Sequence, residues 1–459
     1  MADQQEESPQ IQSIDQLEEW FHQGARPRDA WKIGVEYEKP VVDASTGEAV
    51  PYEGPRGIGQ LLAGMLERSD YWRGVYEGEN LIALEDGRAS ITLEPGGQLE
   101  MSGEQCDSIH CADRELQRHV SEILAVGEDL GLWFLGLGAT PKTPLSGLPW
   151  MPKQRYRIMR GVMQRVGTMG HRMMQQTATV QANFDFADEQ DAARKMRVSM
   201  AMSPLLVGMS ANSPVLDGRP TGYKSFRAHV WTDTDDDRCG VLPFVFGEDS
   251  IFAAYTQWAL DVPMYFVVRG STLIEPETRT TFRQFLDKGL AGERATIADW
   301  SMHLTTLFPE VRLKRYIEIR QADSQGVELM LGTPALMKGI LYDDDCLGAV
   351  YDELASWSAE DVTRYREDAA RQGLSASVGR FTLGELAREV VSIAREGLKR
   401  QQQLDPEGRD ESIFLDKLEE DVRDGRCPAD RLIEAWEGSG NRSVDRLIAE
   451  SRYLTPKQD

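Results

Sequence analysis

Five glutamates of this chain lie in short stretches that alternate like β-strands, a setting that narrows the folds open to it. The tightest pair is Glu36 and Glu38, in Trp31-Lys-Ile-Gly-Val-Glu-Tyr-Glu-Lys39. Residues i and i+2 of a strand point to one face, about 6.6 Å apart. Glu94 and Glu100 flank a glycine turn within Ser90–Gly103, and Glu318 precedes Arg320 by two residues. Glutamate is a poor strand former, and burying it unpaired is costly. Three such places predict a sheet face that gathers carboxylates around hard cations. Mg²⁺ is the expected ion, because six histidines and five scattered cysteines make no zinc set.

The 459 residues are 41% hydrophobic, enough for a sizeable core, and carry a net charge of −24. Such a surface repels nucleic acid and anionic lipid, and no apolar run approaches a membrane span. The first ten residues are polar and acidic, without the basic and apolar regions of a signal peptide or the arginines of a transit peptide. A cytoplasmic protein is expected. The cysteines (Cys106, Cys111, Cys239, Cys346, Cys427) are odd in number and form no Cys-x-x-Cys. They predict unpaired thiols in a reducing compartment.

Residues 1–12 read as a disordered tail and 13–459 as one catalytic domain, of which about 345–459 is mostly helical and packs on the sheet. Helical periodicity marks 14–21, 57–69, 108–130 (ending at Gly131) and 189–208. Strands are expected at 132–138, 175–186, 242–246, 264–269 and 313–320. They are not interleaved with single helices, which predicts an α+β chain with a largely antiparallel sheet. Helices are then expected at 345–357, 359–371, 382–402, 411–424, 429–437 and 443–451. Capping-box spacing occurs at Ser13–Gln16 and Thr382–Glu385.

Other candidates follow from residue type. Pro95-Gly96-Gly97 predicts a tight turn whose N–H groups approach an anion. Gln181 and Asn183 share one strand face, where their amides orient a substrate or complete a metal shell. Arg227, Arg315 and Arg320 are candidate anion binders. His229 and Trp231 share a face with Arg227 in a predicted strand, Trp231 either packing or touching substrate. Lys153, Arg155 and Tyr156 form a basic-aromatic patch. Asp233–Asp237 is no EF-hand: its sixth position is Arg238 and its twelfth Phe244. No P-loop or nucleophile-elbow motif occurs.

These segments carry a family resemblance. Gly34-Val-Glu-Tyr-Glu-Lys39 resembles the Glu-x-Glu-Lys start of plant-type and proteobacterial glutamate–cysteine ligases. Ser90–Gly103 is similar to their Ser-Ile-Thr-Leu-Glu-Pro-Gly-Gly-Gln-x-Glu-x-Ser-Gly block. Matches continue at Met151–Tyr156, Thr179–Asp185, Ala211–Pro214, Ser225–Asp235, Leu242–Phe246, Phe308–Tyr316 and Leu341–Asp345, spanning roughly residues 14–455. Two positions depart: Tyr37 stands where the family commonly has His, and Pro40 where it has Phe.

The resemblance implies a glutamine-synthetase-like carboxylate–amine ligase fold. It implies ATP-dependent joining of the glutamate γ-carboxylate to the amine of cysteine through γ-glutamyl phosphate, the first step of glutathione biosynthesis. It implies more than one Mg²⁺, held by Glu36, Glu38, Glu94, Glu100 and Glu318; for Glu100, which follows the glycine turn, the alternative role is to bind the substrate amino group instead. Glu318 and Arg320 serve the transferring phosphate, and Arg227 a substrate carboxylate. Gly96, Gly97, Gln181, Asn183, Trp231 and Arg315 complete the expected binding set; in related ligases outside this branch a histidine occupies the position comparable to Gln181. Plant members use a regulatory disulfide whose cysteine pair has no match here. Partners are expected to be small molecules, with no nucleic acid or membrane, and the protein a monomer or homodimer. Rival readings are a same-fold ligase for another amine, a Mg²⁺-dependent phosphohydrolase, and an inactive binding paralogue.

Overall fold

Period-two alternation at Ile33–Lys39 builds the middle of the molecule. The computed structural model describes residues 8–247, 250–438 and 443–454. Its main sheet has eight strands: β1 (Ile33–Lys39), β2 (Arg73–Glu77), β3 (Asn80–Glu85), β4 (Ser90–Leu93), β5 (Leu99–Ser102), β6 (Thr179–Phe184), β7 (Val311–Leu313) and β8 (Ile317–Asp323). Their order is β7-β8-β6-β1-β5-β4-β3-β2. Every neighbouring pair is antiparallel.

One face of β1 enters the core. Val35, Tyr37 and Lys39 are buried there against the helix Ile109–Leu130. The Tyr37 hydroxyl donates to the Ala112 carbonyl at 3.4 Å, and Lys39 Nζ lies 2.7 Å from His119 Nε2. That helix begins where Ser108 accepts the Cys111 N–H and ends at Gly131, whose φ of 65° suits glycine. The opposite face of β1 presents Glu36 and Glu38. Tyr37 therefore replaces the family's histidine on the core side, away from the carboxylates.

Helices Gly332–Leu341, Asp344–Leu354, Ala359–Gln372 and Leu383–Gln401 follow the sheet. The last opens with the expected capping box at Thr382 and Glu385. It crosses Gly332–Leu341 so closely that a Cβ on Gly397 would fall 2.0 Å from the Gly339 carbonyl oxygen. One continuous apolar cluster runs from Ile11 to Tyr453. Among the described residues no helix is long and apolar enough to cross a membrane.

Several sequence expectations are corrected. Residues 8–12, assigned to a disordered tail, are docked: the Ile11 N–H donates to the Ala295 carbonyl at 2.9 Å, and Ser8 accepts the Ala298 N–H. Residues 1–7 lie outside the described residues. The 242–246 strand is a short 3₁₀ turn, Pro243–Phe246, started by its proline. The single strand at 313–320 is the β7–β8 hairpin. Arg227, His229 and Trp231 do not share a strand: Ser225 caps a short helix, Phe226–Val230, and Trp231 follows in a 3₁₀ turn. At Ser13–Gln16 the Gln16 side chain accepts the Ser13 N–H, but no side chain caps the helix in return. Cys106 and Cys111 were expected as free thiols and form a disulfide; Cys239, Cys346 and Cys427 are free. The pairing arises because Cys106 is bridged to Ile33 while Cys111 sits in the first turn of the next helix.

Candidate active site

Strand register assembles the acidic face. Glu36 lies opposite Gln181, Glu38 opposite Glu100, and Glu100 opposite Thr92. Glu318 lies opposite Asn183 on one side and Arg312 on the other. Asn183 Nδ2 donates to Glu36 at 3.0 Å, the Thr179 N–H to Glu38 at 3.0 Å, and the Thr92 hydroxyl to Glu100 at 2.5 Å. Glu94 follows β4 at the start of the glycine turn.

The charges on this face are unevenly matched. Burial, then Glu318 and Glu100, push the Glu36 carboxyl up to about 7. Burial, then Glu94 and Glu100, hold Glu38 well above the usual carboxylate range. Burial and Glu94 raise Glu100. Like charges crowded in a dry setting favour protons or cations. Glu318 is the opposite case. Burial opposes its ionisation, yet Arg312, Lys314 and Arg320 hold it well below the usual range. Arg312 grips it with two bonds of 2.6 and 3.1 Å, Lys314 sits at 3.0 Å, and Arg320 also donates to it. Four donors fill the roughly four acceptor sites of a carboxylate. A metal would reach Glu318 only by displacing one of them.

The acidic face is not a closed metal cage. Among the described residues the one group of three ligand-type side chains with atoms all within 4.8 Å is Glu104, Cys106 and Cys111, and its cysteines are spent on each other. The wider spacing of the site glutamates suits Mg²⁺, which keeps water and phosphate oxygens beside one or two carboxylates.

A cavity of about 80 Å³ opens on this face, lined by Glu38, Glu94, Arg155, Arg227, Trp231 and Arg320 among others. Arg227 is buried and donates to the carbonyls of Gln321 and Arg320 at 3.1 and 3.0 Å. Arg320 also donates to Gln181. Trp231 packs on Phe308 with ring centres 5.8 Å apart, and both line the cavity.

Two expectations fail here. Arg315 is exposed, donates to Gln23 at 2.6 Å and covers Trp20, because it sits in the turn between β7 and β8 and on neither strand. Gly96 and Gly97 make the expected turn but offer no anion cradle. The Gly96 N–H donates to the Gln98 side chain and the Gly97 N–H to the Glu94 carbonyl, both at 2.9 Å. Their glycine character has other causes: a Cβ on Gly96 would fall 2.1 Å from the Gln175 carbonyl oxygen, and Gly97 has φ of 88°. Sequence reasoning missed Arg312 and Lys314 as partners of Glu318. Their i, i+2 spacing was visible; the hairpin register that aims them was not.

The Glu36–Glu38 face and the Glu318–Arg320 strand thus converge, and this convergence has relatives. A family model, glutamate–cysteine ligase family 2, matches residues 32–448. The chain belongs to glutamate–cysteine ligase family 2. The chloroplastic glutamate–cysteine ligase of Nicotiana tabacum is 42% identical over 433 residues, covering 94% of this chain and 81% of the relative. That of Medicago truncatula is 43% identical over 440 residues, covering 95% and 84%. The fold resembles a glutamate–cysteine ligase of Francisella tularensis solved in complex with AMP, with a TM-score of 0.57 at 13% identity over 92% of this chain and 87% of that one. Membership makes the chain an enzyme of the ligase type. The cytoplasmic expectation is overturned: the relatives of Nicotiana tabacum, Medicago truncatula, Solanum lycopersicum and Arabidopsis thaliana are chloroplastic.

Proposed function

We propose that this member of glutamate–cysteine ligase family 2 joins the γ-carboxylate of L-glutamate to the amine of L-cysteine with hydrolysis of ATP to ADP, making γ-glutamylcysteine, the first step of glutathione biosynthesis. The observation that carries the reading is the crowd of buried carboxylates on one sheet face, of which Glu38 and Glu94 line a cavity together with Arg320. Two anions, ATP and glutamate, meet only where cations balance them. Glu36, Glu38, Glu94 and Glu100 are the proposed Mg²⁺ ligands, and Mg²⁺ bound there would neutralise phosphate oxygens. Glu318 holds Arg320 in place, and with Arg312, Lys314 and Arg320 on its oxygens it stands outside the proposed metal set.

The chain's own part is positional. Arg320 is fixed by Glu318 and Gln181 at the cavity edge, where it matches the charge of a passing phosphoryl group. Arg227 walls the cavity opposite Glu38, where its remaining donors face a substrate carboxylate. The γ-carboxylate attacks the terminal phosphorus, ADP leaves, and the neutral acceptor amine then displaces phosphate from γ-glutamyl phosphate. Purified protein with ATP, Mg²⁺, glutamate and cysteine should release phosphate and γ-glutamylcysteine, and oxygen-18 in the γ-carboxylate should appear in that phosphate. Phosphate release independent of glutamate, or a γ-glutamyl product with another amine alone, would overturn this reading.

A further inference from the structure

Two of the sequence blocks, Ala211–Pro214 and Ser225–Asp235, meet at a buried carboxylate to which the ligase reading gives no part. Asp323 is the last residue of β8, the strand that carries Glu318 and Arg320, and it is 1% exposed. Its side chain accepts three hydrogen bonds. The Asn212 N–H and the Ser213 hydroxyl reach one oxygen at 2.8 and 2.7 Å, and the Ser225 hydroxyl reaches the other at 2.8 Å. A Cβ on Gly138 would fall 2.5 Å from the carboxyl carbon, so the chain closes over Asp323 with no room for a side chain there.

Each serine passes this hold on. The Ser213 hydroxyl accepts the Arg227 N–H and the Ser225 hydroxyl accepts the Ala228 N–H, both at 3.0 Å. A hydroxyl that donates to one group and accepts from another has a fixed orientation. Asp323 thereby fixes the first turn of the short helix Phe226–Val230. The other end of Arg227 is tied to the same strand: its guanidinium donates to the carbonyls of Gln321 and Arg320, and Nη1 lies 4.0 Å from the Asp323 carboxylate.

We propose that Asp323 is the positioning residue for Arg227. Through the two hydroxyls it sets the distance of that helix turn from β8, and so the angle at which the guanidinium meets the cavity, and its charge balances the buried cation. The inference rests on the reading above, in which Arg227 takes a substrate carboxylate, and adds what keeps Arg227 aimed. A planar fork matches a carboxylate in one geometry, and a misplacement of about 1 Å costs a site about 10²-fold.

The test uses two variants of the full chain. Asp323→Asn keeps the shape, removes the charge and replaces one acceptor oxygen with an N–H donor; Ser225→Ala keeps the charge and cuts one of the two relays. Assayed below their melting midpoints, both should raise the KM of one amino-acid substrate about tenfold, with kcat within about threefold of wild type and the KM for ATP unchanged. In an Arg227→Met background, Asp323→Asn should change that KM less than about twofold, because residues that act through one group are not additive. A carboxylate that only pins the fold would lower the melting midpoint and the active fraction and leave every KM in place. Unmoved KM values, equal rises for ATP, glutamate and cysteine, or additive effects in the Arg227→Met background overturn the positioning role while ligation persists. If Asp323→Asn does not fold, the KM values of Ser225→Ala decide alone. A wild-type protein that forms no γ-glutamyl product overturns the function itself.

Discussion

Glu36 and Glu318 lie on one sheet face in opposite electrostatic states, the first pushed up to about 7 and the second held low by three cations. They should therefore fail differently. Glu36→Gln removes a proposed metal charge, so the Mg²⁺ concentration for half-maximal rate should rise and kcat fall about 10²-fold. Glu318→Gln releases Arg320 and Arg312, so kcat should fall at least as far with the Mg²⁺ requirement little changed. Initial rates across a Mg²⁺ titration separate the two; near wild-type kcat for Glu36→Gln at saturating Mg²⁺ would remove it from the ligand set. The glutamate pair was readable because a strand's period is two. The state of Glu318 was not, since it depends on Arg312 across a hairpin and on Lys314, both outside the Glu318–Arg320 motif.

Among elements, two glycine contacts make a comparison. Gly96 lets the turn after β4 touch the backbone of Gln175, and Gly397 lets two helices cross over Gly339. Alanine at either place forces backbone apart and should cost about 1–3 kcal/mol of stability. Only Gly96→Ala should also lower kcat at temperatures where the protein is folded, because its turn positions Glu94 and Glu100. Thermal melts beside rates at 20 °C below the midpoint check this; equal activity loss in both variants would show that the turn has no special role. Pro95-Gly-Gly97 announced a turn in the sequence. That it packs against Gln175, with its N–H groups turned inward, depends on contacts some eighty residues away.

For the whole molecule, buried ionisable groups shape stability in two directions. His303 is buried and its pKa is lowered to about 3, from an ordinary 6.5. Its contribution is present above pH 6.5 and is lost as pH falls towards 3. Glu36 is raised from 4.5 to about 7, so without metal its contribution is present below pH 4.5 and is lost as pH rises through 7. Mg²⁺ binding needs the ionised carboxylate, and so should stabilise the protein more at pH 8 than at pH 5.5, by something on the order of 1–3 kcal/mol. Urea midpoints at both pH values, with and without Mg²⁺, measure it; a Mg²⁺ effect equal at the two would refute a carboxylate site of this kind.

Local periodicity was enough to place Glu36 and Glu38 on one face, to mark a helix over 108–130 that stops at Gly131, and to mark the capping box at Thr382, because each depends on residues within a few positions. The family was also readable, from long runs of unusual residues around those glutamates. Approach in space settled the rest. It docked residues 8–12 on 295–298, turned Arg315 out to Trp20 while bringing Arg312 in to Glu318, and spent the Gly96 and Gly97 donors inside their own turn. Which charges are matched and which stand open is a property of strand register and of segments far apart in the chain, and no local pattern carries it.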